Sequence, residues 1–263
     1  IPDPVGGGEA TPDLRDRNVR SNRSAWNGID YEHHDRPAQR RLRQHYAALV
    51  AQIDDVIGTL LEALERTGQL DNTLIVLSSD HGDYLGDHGM VGKQGFHEGT
   101  VRVPLIVRPP GGCAPVTDDQ LVELRDVTAT ILAYAGVEQP GWMDAEPLPS
   151  LSHGAGRTER DVIFGALPAG WMLYDGRFKL HAYRTGEIAL FDLEADPDEL
   201  HDLSTDPDHA VVLNTLQSRV TTEVMEHLDA AFVDRTVVGD GPLYLDQAFA
   251  REGWHRTYPQ PHT

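Results

Sequence analysis

The sequence holds a single cysteine, Cys113, so no disulfide can form within the chain, and the lone thiol says little about redox compartment. No run approaches the roughly eighteen consecutive apolar residues that a membrane span requires. Basic residues are scarce: 22 against 42 acidic ones give a formal net charge of -20. That balance argues against nucleic acid and anionic membrane surfaces as partners. An anionic substrate would have to be drawn by a local cation, because the global field repels it. Also missing at the start, Ile1-Pro2-Asp3-Pro4, are an initiator methionine and any basic or apolar leader. Such a start implies processing, truncation or a fragment. The compartment stays open, with the cytoplasm slightly favoured for a soluble chain. Internal repeats and low-complexity tracts are absent too.

What is present suits a globular protein. The 263 residues, 40% hydrophobic and 24% charged, can bury one large domain, or one plus a small second. Residues 1–38 are rich in Pro, Gly, Asp, Arg and Asn and read as an extended surface segment. From about Arg41 to Arg66, apolar residues at steps of three and four predict a long amphipathic helix closed by Thr67-Gly68. Thr73–Ser79 then reads as a strand apolar on both faces, of the kind found in parallel sheets covered by helices. Val103–Val107 repeats that character, and Asp118 to Ala135 reads as a second helix with Leu121, Leu124, Val127, Ile131 and Leu132 inward. This order is that of an α/β sheet, mixed or parallel, flanked by helices.

The pattern changes after about residue 160. Short strands are predicted at Val162–Phe164, Met172–Tyr174, Arg177–Tyr183 and Ala189–Asp192, with Asp175-Gly176 as a hairpin turn between two of them. A last helix follows over about Asp208 to Ala231. The expected division is therefore an α/β core portion over 1–160, a small antiparallel sheet with one helix over 161–235, and an irregular tail over 236–263.

The chemistry concentrates at the end of the first strand. Asp80-His81-Gly82 stands there, where open α/β sheets bind ligands. Gly82 frees the backbone to turn, so that both side chains can converge on one ion. Asp80 offers a hard oxygen. His81 offers a nitrogen that suits Mn²⁺ or Zn²⁺ better than Ca²⁺, although one nitrogen among oxygens excludes neither Ca²⁺ nor Mg²⁺. Asp-His-Gly alone would more often be a polar turn in which Asp80 caps backbone amides; the surroundings change that. Lys93 is reached through Gly82, Gly86, Gly89 and Gly92, a loop able to fold back over the strand end and place an ammonium against a sulfate or phosphate oxygen. Asp87 and His88 could form a second metal site, but are read first as turn residues or outer partners that orient the ligands. Arg102, four residues after Glu98, reads as a structural ion pair that anchors the loop rather than as a substrate contact, and is also a candidate outer partner.

These motifs, in this order, resemble the sulfatases of the alkaline-phosphatase superfamily. The resemblance rests on the helix Tyr46–Gly58, the Gly68-Gln69-Leu70-Asp71-Asn72-Thr73-Leu74 entry to the strand, Asp80-His81-Gly82, Gly86-Asp87-His88-Gly89, Lys93 and Arg102-Val103-Pro104. It continues through Asp175-Gly176-Arg177-Phe178-Lys179-Leu180 and Leu190–Glu199, covering about residues 40–230. His97 stands where a tyrosine is common, and is a further candidate outer partner. The resemblance implies that Asp80 and His81 are two ligands of one divalent cation, Ca²⁺ by family, with Mg²⁺ or Mn²⁺ open. It implies that Lys93 holds a sulfate oxygen and offsets charge on the leaving group. The substrate implied is a small-molecule sulfate ester.

The resemblance also implies a nucleophile upstream of the metal motif, a cysteine oxidised to formylglycine, together with an acidic pair and a further histidine. The expectation is that this chain begins too late to contain them, so that a missing N-terminal half or a partner chain supplies them and the isolated chain does not turn over. Cys113-Ala114-Pro115-Val116-Thr117 imitates the nucleophile motif, but Thr117 stands at its arginine position and the segment follows the metal motif; Cys113 reads as a loop cysteine. His33 and His34 read as surface residues. Two alternatives remain beside the sulfatase reading: a phosphonate monoester hydrolase or phosphodiesterase of the same superfamily, and a non-catalytic binding or assembly domain. A homo-oligomer also stays open.

Overall fold

The computed structural model describes residues 2–6, 35–93, 95–141, 143–148, 160–167, 170–184 and 186–237, with side chains through residue 226. Most of the expected N-terminal segment, including His33 and His34, and the expected tail beyond residue 237 lie outside the described residues. Two compact units are distinguished, 1–216 and 217–263.

Helix α1 spans Arg36–Arg66, five residues earlier than its apolar period suggests. Asp35 caps it, its side chain accepting from the Ala38 N–H at 2.8 Å, and Pro37 fits the first turn, where no amide donor is needed. The extended reading of 1–38 therefore fails over residues 36–38, because Arg36–Arg40 carry helix-forming residues but no apolar periodicity. None of the residues of α1 is buried. Leu49, Val50, Ile53, Val56 and Leu60 are each more than half exposed.

Strands β1 (Ile75–Ser78) and β2 (Leu105–Arg108) pair antiparallel, Ile75 opposite Arg108 and Ser78 opposite Leu105. The parallel pairing expected of the apolar run Thr73–Ser79 is thus not what β1 shows among the described residues. An apolar pattern on both faces reports how a strand is to be covered, and says nothing of its partner's direction. Between the strands stand the loop after Ser78 and the single-turn helix α2 (Glu98–Val101).

Helix α3 covers Leu124–Tyr134, shorter than the expected 118–135. Asp118 accepts from the Gln120 N–H at 3.1 Å and holds that stretch in a turn, while Glu123 and Asp126 form a reciprocal capping box that sets the start. The buried face of α3 is also different from the expected one: Asp126, Ala129 and Thr130 are buried, whereas Leu124 and Ile131 are exposed. Polar partners explain it. Asp126 receives a two-pronged contact from Arg160 at 2.5 and 3.0 Å, and Thr130 Oγ1 accepts from the Leu148 N–H at 2.8 Å.

The four-stranded antiparallel sheet β3 (Ile163–Leu167), β4 (Gly170–Tyr174), β5 (Phe178–Tyr183) and β6 (Ile188–Asp192) runs in sequence order. Its β4–β5 turn uses Gly176 at φ 97° and the Asp175 carboxylate, which accepts from the Phe178 N–H at 2.7 Å. Phe96, Met172, Tyr183, Ala189 and Phe191 form the buried cluster that joins the loop before α2 to this sheet. The α/β class with a C-terminal antiparallel sheet and helix is the architecture observed.

Helix α4 covers Ala210–Val237. Its described part in the second unit starts at Gln217, and Arg219 Nε donates there to Glu223 Oε1 at 2.8 Å. No helix of the described residues is long and apolar enough to cross a membrane.

Candidate functional site

After β1, Asp80 and the returning Lys93 both meet one ring nitrogen of His81. His81 Nδ1 lies 2.8 Å from the Gly82 carbonyl oxygen, which can only accept, so the proton is assigned to Nδ1 and the lone pair to Nε2. Lys93 Nζ donates to that Nε2 at 2.6 Å, and Asp80 Oδ2 lies 3.3 Å from the same nitrogen. Asp80 Oδ1 accepts from the His81 N–H at 3.0 Å, and Ser79 Oγ donates to the His81 carbonyl at 2.8 Å, which fixes the turn. Asp80 is highly exposed and His81 partly so, leaving the three groups open on one side.

Gly82 is needed here for a reason different from the expected one. Its φ is not in the left-handed region; a Cβ at this position would collide with the Gly99 carbonyl oxygen. Gly82→Ala should therefore destabilise the protein by about 1–3 kcal/mol, read as a lower denaturation midpoint. An unchanged midpoint would mean that the turn has room to spare.

The loop that returns Lys93 is built on strained or glycine backbone. Leu85, Gly86, His88, Gly89 and Gly92 all have positive φ. Asp83 Oδ1 gathers the Leu85 and Gly92 N–H groups at 2.9 and 3.0 Å. Tyr84 is wholly buried beneath it, its hydroxyl 2.9 Å from His97 Nδ1.

The remaining candidate residues do not join the Asp80–His81–Lys93 group. Asp87 Oδ1 accepts from the Val5 N–H at 2.8 Å and from Arg43 Nη1 at 2.9 Å, tying the loop to α1. His88 stacks on His97, ring centres 4.1 Å apart. His97 in turn meets His181 edge-on at 5.0 Å. Arg102 is exposed and pairs with Glu98 at 3.6 Å. Cys113 is exposed in a loop.

Three charged or titratable residues had no expected role and are nevertheless buried beside this cluster: Lys179, His181 and Glu199. Lys179 Nζ lies 2.8 Å from Glu98 Oε1 and 2.6 Å from Glu199 Oε1, the latter as an ion pair without hydrogen-bond alignment. Burial pushes the Glu199 carboxyl upward, against the pull of Lys179. Burial drives His97 and His181 well below the usual histidine range, aided by His181 and His88 for the first and by Lys179 for the second. For Lys179 and His181 the sequence signal is a lysine and a histidine alternating through the apolar run Phe178–Tyr183, a run that does not include Glu199.

The fit to a divalent cation is testable on the donors present. Asp80 Oδ2 and His81 Nε2 present lone pairs 3.3 Å apart, about the separation of two neighbouring ligands on an ion bound at roughly 2.3 Å. The donor set therefore fits one edge of a coordination shell. Among the described residues no group of three or more His, Cys, Asp or Glu side chains gathers to complete it. One cavity of about 690 Å³ is lined by Asp118, Asp119, Arg160, Asp161, Tyr174 and Asp175 among others, and none of the candidate residues faces it.

A carboxylate, an imidazole and an ammonium at a strand end of an α/β portion, followed by an antiparallel sheet and a helix, are the arrangement that the resemblance to the alkaline-phosphatase superfamily implies. The sequence model of the sulfatase family matches residues 9–137, and that of the C-terminal region of N-sulphoglucosamine sulphohydrolase matches 86–226, more than half of the chain. The chain belongs to the sulfatases. It is similar to a choline-sulfatase of Rhizobium meliloti, 36% identical over 77% of this chain and 42% of that protein. It is also similar to an arylsulfatase of Clostridium perfringens, 30% identical over 76% of this chain and 43% of that protein. Among solved structures, the phosphonate monoester hydrolase of Silicibacter pomeroyi superposes with a TM-score of 0.72 at 26% identity, over 86% of this chain and 50% of that one. The chain thus spans less than half the length of these two curated relatives.

Proposed function

We propose that the chain is the C-terminal portion of a sulfuric ester hydrolase and supplies part of its metal and sulfate site. The observation that carries the reading is that Asp80 Oδ2 and Lys93 Nζ both approach His81 Nε2 at the end of β1, at 3.3 and 2.6 Å. Asp80 and His81 would hold one divalent cation, Ca²⁺ by family, which polarises the sulfuryl oxygens when bound. The Gly82 carbonyl keeps the His81 proton on Nδ1, so the Nε2 lone pair stays available for that ion. Lys93 then turns its ammonium from His81 to a sulfate oxygen, and offsets the charge that grows on the departing alcohol oxygen. The nucleophile, a formylglycine by family, is assigned to the length of the sulfatases that this chain does not span, whether upstream in one polypeptide or on a partner chain. Alone, the 263 residues would then be inactive. The exposed apolar stripe of α1 supports that division, since in a soluble protein such a surface marks a contact site.

The test is hydrolysis of an aryl sulfate by the chain together with the nucleophile-bearing part. Lys93→Ala should lower kcat about 10²–10³-fold, and Asp80→Ala or His81→Ala should remove bound metal, measured by elemental analysis. If His81→Ala left both metal content and turnover unchanged, the site assignment would be wrong. A second reading, phosphonate monoester or phosphodiester hydrolysis, is favoured by the likeness to the Silicibacter pomeroyi enzyme. Faster turnover of phenyl phosphonate than of aryl sulfate would select it. A non-catalytic role predicts neither reaction.

A further inference from the structure

Helix α2 is where the C-terminal sheet reaches the candidate site. Glu98 opens this single turn; its Oε1 accepts from Lys179 Nζ at 2.8 Å, and its backbone N–H donates to Glu199 Oε2 at 2.6 Å. Lys179 comes from β5 and Glu199 from the turns after β6, and each is 1% exposed. Glu199 has φ 52°, a left-handed conformation that a glutamate keeps only where its surroundings impose it. A buried lysine held by two carboxylates is a poor source of stability, because desolvation offsets most of the attraction. Geometry is what such a network can specify.

Two contacts lead from α2 toward the candidate site. The Thr100 carbonyl accepts from the Gly82 N–H at 2.9 Å, next to His81. Thr100 Oγ1 donates to the Gly95 carbonyl at 2.9 Å, two residues beyond Lys93. One residue of α2 therefore grips both flanks of the His81–Lys93 contact, and the Gly82 turn lies so close to Gly99 that a Cβ has no place between them. A shift of α2 would move both flanks together.

We propose that Lys179 and Glu199 are positioning residues, which fix α2 and through it the placement of His81 Nε2 against Lys93 Nζ. They touch no substrate. Their kinetic consequence rests on the hydrolase reading above, whereas the placement itself does not.

Glu199→Gln tests the idea with little change of shape. Its amide NH₂ must face either the Lys179 ammonium or the Glu98 N–H, both donors, so one of the two contacts is lost. In the ¹⁵N-labelled 263-residue chain, the amide resonances of Gly82 and Lys93 should move while that of Gly68, beyond the end of α1, stays in place. Leu190→Ala, a volume loss in the same buried sheet, should lower the melting temperature and leave the Gly82 and Lys93 resonances where they were. In the enzyme completed with its nucleophile-bearing part, Glu199→Gln should lower kcat about 10- to 100-fold with KM within about twofold, as a displacement of about 1 Å does.

Unmoved Gly82 and Lys93 resonances in Glu199→Gln, or the same shifts in Leu190→Ala, overturn the positioning role. So does a wild-type kcat in Glu199→Gln when the resonances have moved. If they move but the wild-type completed enzyme cleaves neither aryl sulfate nor phenyl phosphonate, the hydrolase reading falls and the positioning role stands.

Discussion

Lys179→Met should lower the melting temperature of the chain by about 10 °C. The lysine is 1% exposed and sits between Glu98 and Glu199, the second also 1% exposed. Removing its charge strands a buried carboxylate, and breaking a buried pair from one side costs about 3–5 kcal/mol. For a protein of this size each kcal/mol corresponds to roughly 2–4 °C. The double variant Lys179→Met/Glu199→Gln should recover much of the loss, because neither partner is then left charged. Melting followed by circular dichroism decides the matter: a single variant as stable as the wild type would mean that water reaches Glu199, and the network would carry no stability cost to break.

Mild acid should weaken the protein before its carboxylates titrate. His97 and His181 are buried with neutral rings, their folded-state values well below the 6.5 of a free histidine. Below about pH 6.5 the unfolded chain takes up protons that the folded chain refuses, so stability falls as pH falls from there toward the folded values. Above about pH 7.5 both rings are neutral in both states and the contribution is constant. Each such histidine costs up to about 1.4 kcal/mol per pH unit, so the pair approaches 2.8 kcal/mol per unit. His88, lowered chiefly by its own burial, adds in the same direction. Lys179 faces the cluster and reinforces the effect on both rings.

Glu199 opposes this trend. Its raised value lets the folded state bind a proton first, so its contribution becomes more favourable as pH falls through that value. One carboxyl does not outweigh two imidazoles between pH 6.5 and 5. Urea midpoints at pH 7.5 and 5.5 should therefore differ clearly, and His181→Leu should remove about half of the dependence. Equal midpoints at the two pH values would show that the rings are protonated in the folded protein.

Asp80, His81 and Lys93 were legible in the sequence because their chemistry is local. Two are adjacent, the third lies twelve residues on, and the glycines between them announce a loop that must turn back. Long-range pairing leaves no such mark. Glu98 and Lys179 are 81 residues apart and Glu98 and Glu199 are 101 apart, so nothing near any of them shows that they share a charge network. The strands of the C-terminal sheet were legible from short apolar runs and the Asp175-Gly176 turn. The inward face of α3 was not, because the residues it buries deepest are an aspartate and a threonine held by partners far along the chain. For α1, apolar period marked the body of the helix, while its true start lay in the Asp35 cap and Pro37, which carry no period at all.

The exposed stripe of α1 has a consequence for how the molecule breathes. Acidic side chains are absent from its first turn, which opens with Arg36, so the Asp35 cap alone sets a negative charge against the helix dipole there. With no residue buried, the helix draws little support from packing along its length beyond the Arg43 contacts to Leu85 and Asp87. Its amides can then exchange with solvent through local fraying, whereas those of β5 and β6, under side chains that are almost wholly buried, exchange only when the sheet itself opens. The protein thus holds two clocks, and whatever covers the stripe of α1 would slow the faster one first.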